Sequence, residues 1–199
     1  MMSDDYLGRD LSDEQIEERS DAFRGLLGLG DDLAPDVFFA AESTLPELIP
    51  QFALLPRPLS ELPNNYALTT YKPPAILVRE DIYRKGNSDP RGRAIIAHEL
   101  GHLLLHRDMP RSLKDGHQER KLLINSLNQS SERQADLVML GLLVPRRIAI
   151  QLETLDNIAD RCRVPYQVAE LAMNHYGLRL ARKLQPYQRL AMISFDEDI

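Results

Sequence analysis

Apolar and polar positions follow a helical period at the beginning of the chain. Ile16, Phe23 and Leu27 can share one face of a helix. Ser12 starts a Ser-Asp-Glu-Gln sequence, which has the spacing of a capping box. The pattern therefore predicts a helix over residues 12–27, ending at the glycines that follow.

The pattern then weakens and changes to short apolar runs. A second helical segment is predicted over residues 35–48. Residues 46–74 contain seven of the thirteen prolines, which favours irregular chain over a helix. Residues 66–71 are rich in β-branched and aromatic side chains, and residues 75–80 form a compact apolar run. These two runs predict a small antiparallel sheet.

A longer helix is predicted after the strands. Asp89 has the position of an N-cap and Pro90 that of the first helical residue, and the apolar pattern continues to about His106. Residues 107–129 are polar, which predicts a loop and then a helix that begins near Gln118. The main element of the chain is thus a helix that directly follows a small sheet.

The rest of the sequence is predicted to be helical. Ser131 can cap a helix through Gln134, and this helix should end before Pro145. Residues 145–192 are predicted to form further helices. The expected breaks in them are at Pro165, Gly177 and Pro186. The fold class that follows is α+β, mostly helical, with a helical C-terminal part.

Composition is that of an ordinary globular protein, with 43% hydrophobic and 27% charged residues. Cys162 is the only cysteine, which excludes an internal disulfide and a cysteine metal cluster. The first residues are acidic, no apolar run follows them, and no stretch has the length of a membrane span. We therefore expect a cytoplasmic protein without a membrane partner.

Charge is unevenly distributed around a net value of −6. Residues 1–42 hold twelve acidic and three basic residues, whereas residues 145–190 hold eight basic and four acidic residues. Either these charges are solvated or the two ends of the chain attract each other, and an acidic partner is the third possibility. The net charge disfavours a nucleic-acid-binding protein.

The predicted helix over 90–106 contains the sequence His-Glu-Leu-Gly-His from His98 to His102. Two imidazoles four residues apart project from one face of a helix and can bind one Zn²⁺. Glu99 then lies where its carboxylate can act on water at the metal without becoming a ligand. Gly101 lets another element pack closely behind the site. The alternative is a buried helix whose histidines are only hydrogen-bonded core residues.

A catalytic zinc site uses three protein ligands, so one more is required. Glu132 is the best candidate, in the sequence Glu-Arg-Gln-Ala-Asp, and Asp136 one turn later can accept the N–H of a ligand imidazole. His117 is the leading competitor as third ligand. For His106, packing or a place in the wall of a cleft is favoured over metal binding.

These motifs resemble those of the ImmA/IrrE family of zinc metallopeptidases. The resemblance rests on His98–His102, on Glu132–Asp136, and on the Leu-Leu-Val-Pro that ends at Pro145. It covers roughly residues 70–180. It implies a zincin-like core, Zn²⁺ bound by His98, His102 and Glu132, and Glu99 as the catalytic base.

The resemblance also implies a function, and the predicted elements suggest a division of the chain whose first seventy residues match no family we can name. The expected activity is hydrolysis of a peptide bond in a protein substrate, typically a helix-turn-helix transcriptional repressor, in a regulatory or stress response. The expected divisions are an N-terminal helical and proline-rich segment over 1–60, the metallopeptidase core over 61–145 and a helical subdomain over 146–199. The strand over 75–80 is expected to offer its edge to an extended peptide.

Two other functions stay open on the sequence alone. The protein could be a non-catalytic regulatory or toxin–antitoxin-type binding protein with a structural zinc, which would require a fourth protein ligand. Residues 158–169 have a faint helix-turn-helix pattern, so direct DNA binding is the other possibility, although a small helical subdomain beside the core is favoured.

Overall fold

The structure is a computed structural model that describes residues 8–107, 128 and 130–178. Helix α1 spans Asp13–Leu26 and begins with the capping box predicted from the sequence. The Gln15 backbone N–H donates to Ser12 Oγ at 3.3 Å, and the Ser12 N–H donates to Gln15 Oε1 at 2.9 Å. The next helical stretch consists of α2 (Val37–Phe39), a π-helical turn (Ala40–Thr44) and α3 (Leu45–Leu48).

The sheet has three strands in the order β1-β3-β2, namely β1 (Ala53–Arg57), β2 (Ala67–Tyr71) and β3 (Pro74–Arg79). The antiparallel pair β2–β3 agrees with the prediction. The expectation of a purely antiparallel sheet is wrong, because β1 pairs parallel with β3. Strand β1 was not predicted, because it lies in the proline-rich part of the sequence and contains Pro56. An edge strand tolerates a proline because one side of its backbone needs no ladder partner.

The position of β3 also corrects the predicted peptide-binding edge. Strand β3 lies in the middle of the sheet and is paired on both sides, so it has no edge to offer. Within the described part of the chain, the open edges belong to β1 and β2. The long helix Pro90–His106 contacts β2.

Helix α4 (Glu80–Lys85) and a 3₁₀ turn (Gly86–Ser88) lead into α5 (Pro90–His106). Asp89 caps α5, since its Oδ1 accepts from the Arg91 N–H at 3.1 Å. Helix α6 (Ser131–Leu143) ends before Pro145 as predicted. Its N-cap is Ser130 and not Ser131, which is fully buried. The helix predicted near Gln118 lies outside the described residues.

Three helices follow α6, namely α7 (Arg146–Leu152), α8 (Leu155–Cys162) and α9 (Tyr166–His175). The break at Pro165 agrees with the prediction. The break between α7 and α8 is marked by neither proline nor glycine. Glu153 has a left-handed φ of 63° there, and Thr154 caps α8 by accepting from the Asn157 N–H.

One hydrophobic cluster of buried residues extends from Leu11 in the N-terminal segment to Tyr176 after α9. The division of the chain into three parts stays a prediction. None of the helices in the described ranges combines the length and apolarity needed to cross a membrane.

In the described part of the chain, acidic residues near the beginning of the sequence do pair with basic residues of its second half. Acidic residues of α1 and of the turn after it pair with basic residues that follow Glu132. The pairs are Asp13–Arg133 at 2.7 Å, Glu17–Arg146 at 3.7 Å, Asp21–Arg147 at 2.7 Å and Asp31–Arg147 at 3.0 Å. Helix α1 is thereby attached to α6 and α7 by charge as well as by apolar packing.

Candidate metal centre

Helix α5 brings His98, Glu99 and His102 to the interface with α6. Apolar side chains on the same helix, among them Ile96 and Leu100, are fully buried and hold α5 in place. The Nε2 atoms of His98 and His102 lie 3.1 Å apart. The spacing of four residues therefore aims both imidazoles at one point.

Glu132 in the first turn of α6 completes the group. Its Oε2 lies 3.4 Å from His98 Nε2, and its Oε1 lies 3.3 Å from His102 Nε2. The two helices can approach this closely because Gly101 has no side chain. A Cβ there would lie 2.9 Å from the Cα and the carbonyl oxygen of Ala135.

The size of this triangle fits a divalent metal ion. Zinc bonds to nitrogen of about 2.0–2.1 Å and to oxygen of about 2.0–2.2 Å place the ligand atoms of a tetrahedral site about 3.3–3.5 Å apart. The two separations between Glu132 and an imidazole, 3.3 and 3.4 Å, lie in this range, each with a different oxygen of the carboxylate. The separation of 3.1 Å between the two Nε2 atoms is slightly shorter. Two imidazoles and one carboxylate are also a common ligand set for zinc. These three residues can hold a metal ion.

The electrostatics of the group favour a positive charge at the same place. Burial lowers the pKa of His98, but hydrogen bonds with the Asp136 and Glu132 carboxylates outweigh it and raise this pKa to about 10. Burial raises the pKa of Glu132, yet its hydrogen bonds with His102 and His98 hold this pKa well below its usual range. Both shifts reflect attraction between a carboxylate and a cation, which a bound metal ion would supply.

Asp136 lies where the sequence predicts it, one helical turn after Glu132. Its Oδ1 is 2.9 Å from His98 Nδ1. A proton on Nδ1 that is donated to this carboxylate leaves the lone pair of Nε2 for the metal. Asp136 can therefore fix both the tautomer and the orientation of His98.

Glu99 is buried, with 9% of its surface exposed, and contacts strand β2. Thr69 Oγ1 lies 2.6 Å from Glu99 Oε2 and 3.0 Å from the Glu99 backbone oxygen. Tyr71, two residues later, donates its hydroxyl to the His102 backbone oxygen at 3.2 Å. Sequence reasoning missed both residues. Their only signal is the alternation of the strand, which places Thr69 and Tyr71 on the same face.

His106 lies in the interface between α5 and α6. Its Nε2 is 2.8 Å from Gln134 Oε1, and Gln134 Nε2 donates to the backbone oxygens of Arg9 and Asn128. His106 thus has the packing role expected for it. The competing ligand His117 lies outside the described residues.

Helices α8 and α9 form a helix-turn-helix shape, with Arg163 in the left-handed conformation at the turn. The exposed charged residues of α8 have both signs, Asp156 and Asp160 beside Arg161. The Arg163 guanidinium donates to the Ser88 backbone oxygen. The choice between direct DNA binding and a helical subdomain beside the core stays a prediction.

A histidine pair on one helix, a carboxylate on the next and a buried glutamate beside the first histidine define a protein with a candidate His₂Glu metal centre. The family model of the IrrE N-terminal-like domain, a family of peptidases, matches residues 65–175. Because this match covers more than half of the chain, the protein belongs to that family. No curated protein sequence matches the chain. The family supports a function of the metallopeptidase type.

Proposed function

We propose that this protein is a zinc-dependent endopeptidase that hydrolyses a peptide bond in a protein substrate. The observation that carries the proposal is the triangle of His98, His102 and Glu132 with the Glu99 carboxylate next to it. Zinc at this triangle would supply a Lewis acid that makes water a better nucleophile and the scissile carbonyl a better electrophile.

The side chains of the protein have separate tasks in this proposal. His98, His102 and Glu132 are the metal ligands, and Asp136 holds the His98 imidazole. Glu99 accepts the proton of the attacking water on its carboxylate and then donates it to the departing amine. General base catalysis of this kind contributes a factor of about 10²–10⁴ to the rate.

The substrate backbone is proposed to pair with strand β2. The Arg79 backbone N–H donates to the Tyr66 backbone oxygen at 2.9 Å, so these two residues form a hydrogen-bonded pair at the beginning of β2. The alternation of an antiparallel ladder then turns the backbone groups of Ala67, Thr69 and Tyr71 away from β3. An extended peptide can pair with this edge and pass beside Glu99.

The proposed substrate is a helix-turn-helix transcriptional repressor, and the proposed place of action is the cytoplasm. Support for the substrate is the family membership combined with a surface for an extended peptide. The proposed biological role is regulation of transcription, including in a stress response.

The test is to incubate zinc-loaded wild type and Glu99→Gln with repressors encoded beside the gene. We expect wild type alone to cleave, while Glu99→Gln keeps about one zinc per chain because Glu99 is not a ligand. Loss of zinc in Glu99→Gln would refute the role given to Glu99. Binding of a repressor without cleavage by either protein would favour a non-catalytic regulatory protein instead.

A further inference from the structure

Thr69 of strand β2 contacts the side chain of Glu99. The residue is 4% exposed, backbone included, and its Oγ1 lies 2.6 Å from Glu99 Oε2. A threonine hydroxyl has one proton to donate, and the shorter contact is with the charged oxygen. The hydroxyl therefore donates to the carboxylate, and the 3.0 Å contact with the Glu99 backbone oxygen is secondary.

The Thr69 side chain is a rigid hydrogen-bond partner for Glu99. A β-branched side chain has few rotamers, and β2 is paired with β3 over its whole length, Ala67–Tyr71. Glu99, in contrast, has a long side chain whose carboxylate can rotate. A hydrogen bond to Oε2 holds this carboxylate in one orientation and leaves Oε1 to receive a proton.

We infer that Thr69 is a positioning residue that holds the Glu99 carboxylate in the orientation needed for proton transfer. The inference rests on the proposed function and adds a residue to it. Thr69 acts through Glu99, because its hydroxyl contacts the Glu99 carboxylate and has no assigned contact with substrate.

Thr69→Val removes the hydroxyl and keeps the shape and the strand preference of the side chain. With fluorescein-labelled casein as the probe substrate and zinc-loaded protein, we expect kcat to fall about 10–100-fold, as for other partners of site residues. KM should change little, because the backbone of β2 is intact. Thr69→Ser restores the hydroxyl and should restore kcat.

Thr70→Val is the matched control. Thr70 is the next residue of β2, and its hydroxyl donates to the backbone oxygen of Pro73 at 2.9 Å, without a contact to Glu99 in the described structure. Its loss removes a hydroxyl hydrogen bond from the same strand. We expect kcat of Thr70→Val to equal that of wild type.

Crystal structures of zinc-loaded wild type and Thr69→Val provide a readout that does not depend on activity. The inference requires the Glu99 carboxylate to be rotated or present in several orientations in Thr69→Val. An unmoved carboxylate, an unchanged kcat in Thr69→Val, or a failure of Thr69→Ser to recover would each overturn it. If Thr69→Val does not fold, Thr69→Ala takes its place.

The same experiments separate this inference from the proposed function. If zinc-loaded wild type cleaves neither casein nor a repressor, the proposed peptidase activity fails. The orientation of Glu99 in the two crystal structures then decides the role of Thr69 alone: a displaced carboxylate supports it and an unmoved one overturns it.

Discussion

Gly101 sets the distance between the two helices that build the candidate metal centre. A Cβ at this position would lie 2.9 Å from the Cα and from the carbonyl oxygen of Ala135, and 3.2 Å from the Cβ of Val138. Ordinary contacts begin near 3.4 Å, so 3.4 minus 2.9 gives a required separation of about 0.5 Å. Backbone atoms of α6 cannot turn aside as the end of a flexible side chain can.

Gly101→Ala is therefore expected to destabilise the protein and weaken the metal site. Overpacking costs about 1–3 kcal/mol, whereas the higher helix propensity of alanine returns about 1 kcal/mol. The net loss of unfolding free energy is about 0–2 kcal/mol. Metal–ligand distances in zinc sites stay within about 0.2 Å of their usual values, so a shift of α6 by about 0.5 Å is expected to lower zinc affinity about 10–100-fold.

Gly25→Ala is the control for this experiment. Gly25 lies in the last turn of α1, and a Cβ there meets no atom within 4 Å. The substitution should be neutral or stabilising by up to about 1 kcal/mol. Urea unfolding measures the stability of both variants, and competition with a chromophoric chelator measures zinc affinity. Equal zinc affinity of Gly101→Ala and wild type would refute the reasoning.

Three further predictions concern the charges of the centre. Asp136→Asn keeps the shape of the side chain but makes the partner of His98 Nδ1 neutral, so zinc affinity should fall about 10–100-fold; unchanged affinity in the same chelator assay would exclude this role. In metal-free protein, burial lowers the pKa of His98 and its carboxylate partners raise it, from 6.5 to about 10. The unfolding free energy should accordingly fall as pH rises from 6.5 to 10, because the unfolded chain loses this proton first. Zinc binding should strengthen over part of the same pH range, since protons compete with zinc for its ligands. Urea unfolding with and without zinc measures both pH trends, and a reversed trend would contradict the corresponding prediction.

Much of the helical structure follows from local rules and was predictable. The capping box of Ser12 and Gln15 and the Asp89-Pro90 start of α5 are formed by neighbouring residues, so their spacing in the sequence is sufficient. The break at Glu153 was missed because a non-glycine residue takes a positive φ there. Strand β1 was missed because its partner β3 is distant in the chain and its own sequence contains Pro56.

In the candidate site, too, the geometry within one helix was predictable, whereas the contacts between helices depended on how the helices pack. The spacing of His98 and His102 determined that their imidazoles share one face of a helix. The sequence motif singled out Glu132 as a candidate, and the tertiary packing of α5 on α6 brought its carboxylate within reach of both imidazoles.

By itself, the sequence determined the elements whose geometry repeats within a few residues: the capped helices, the histidine pair and the alternation of β2 and β3. Only the tertiary structure decided that β3 is central, that Thr69 contacts Glu99, and that Gly101 lies against Ala135. The physical reason is that helix and strand periods fix the direction of side chains along one element. Contacts between elements depend instead on how their buried surfaces pack, which no spacing along the chain records.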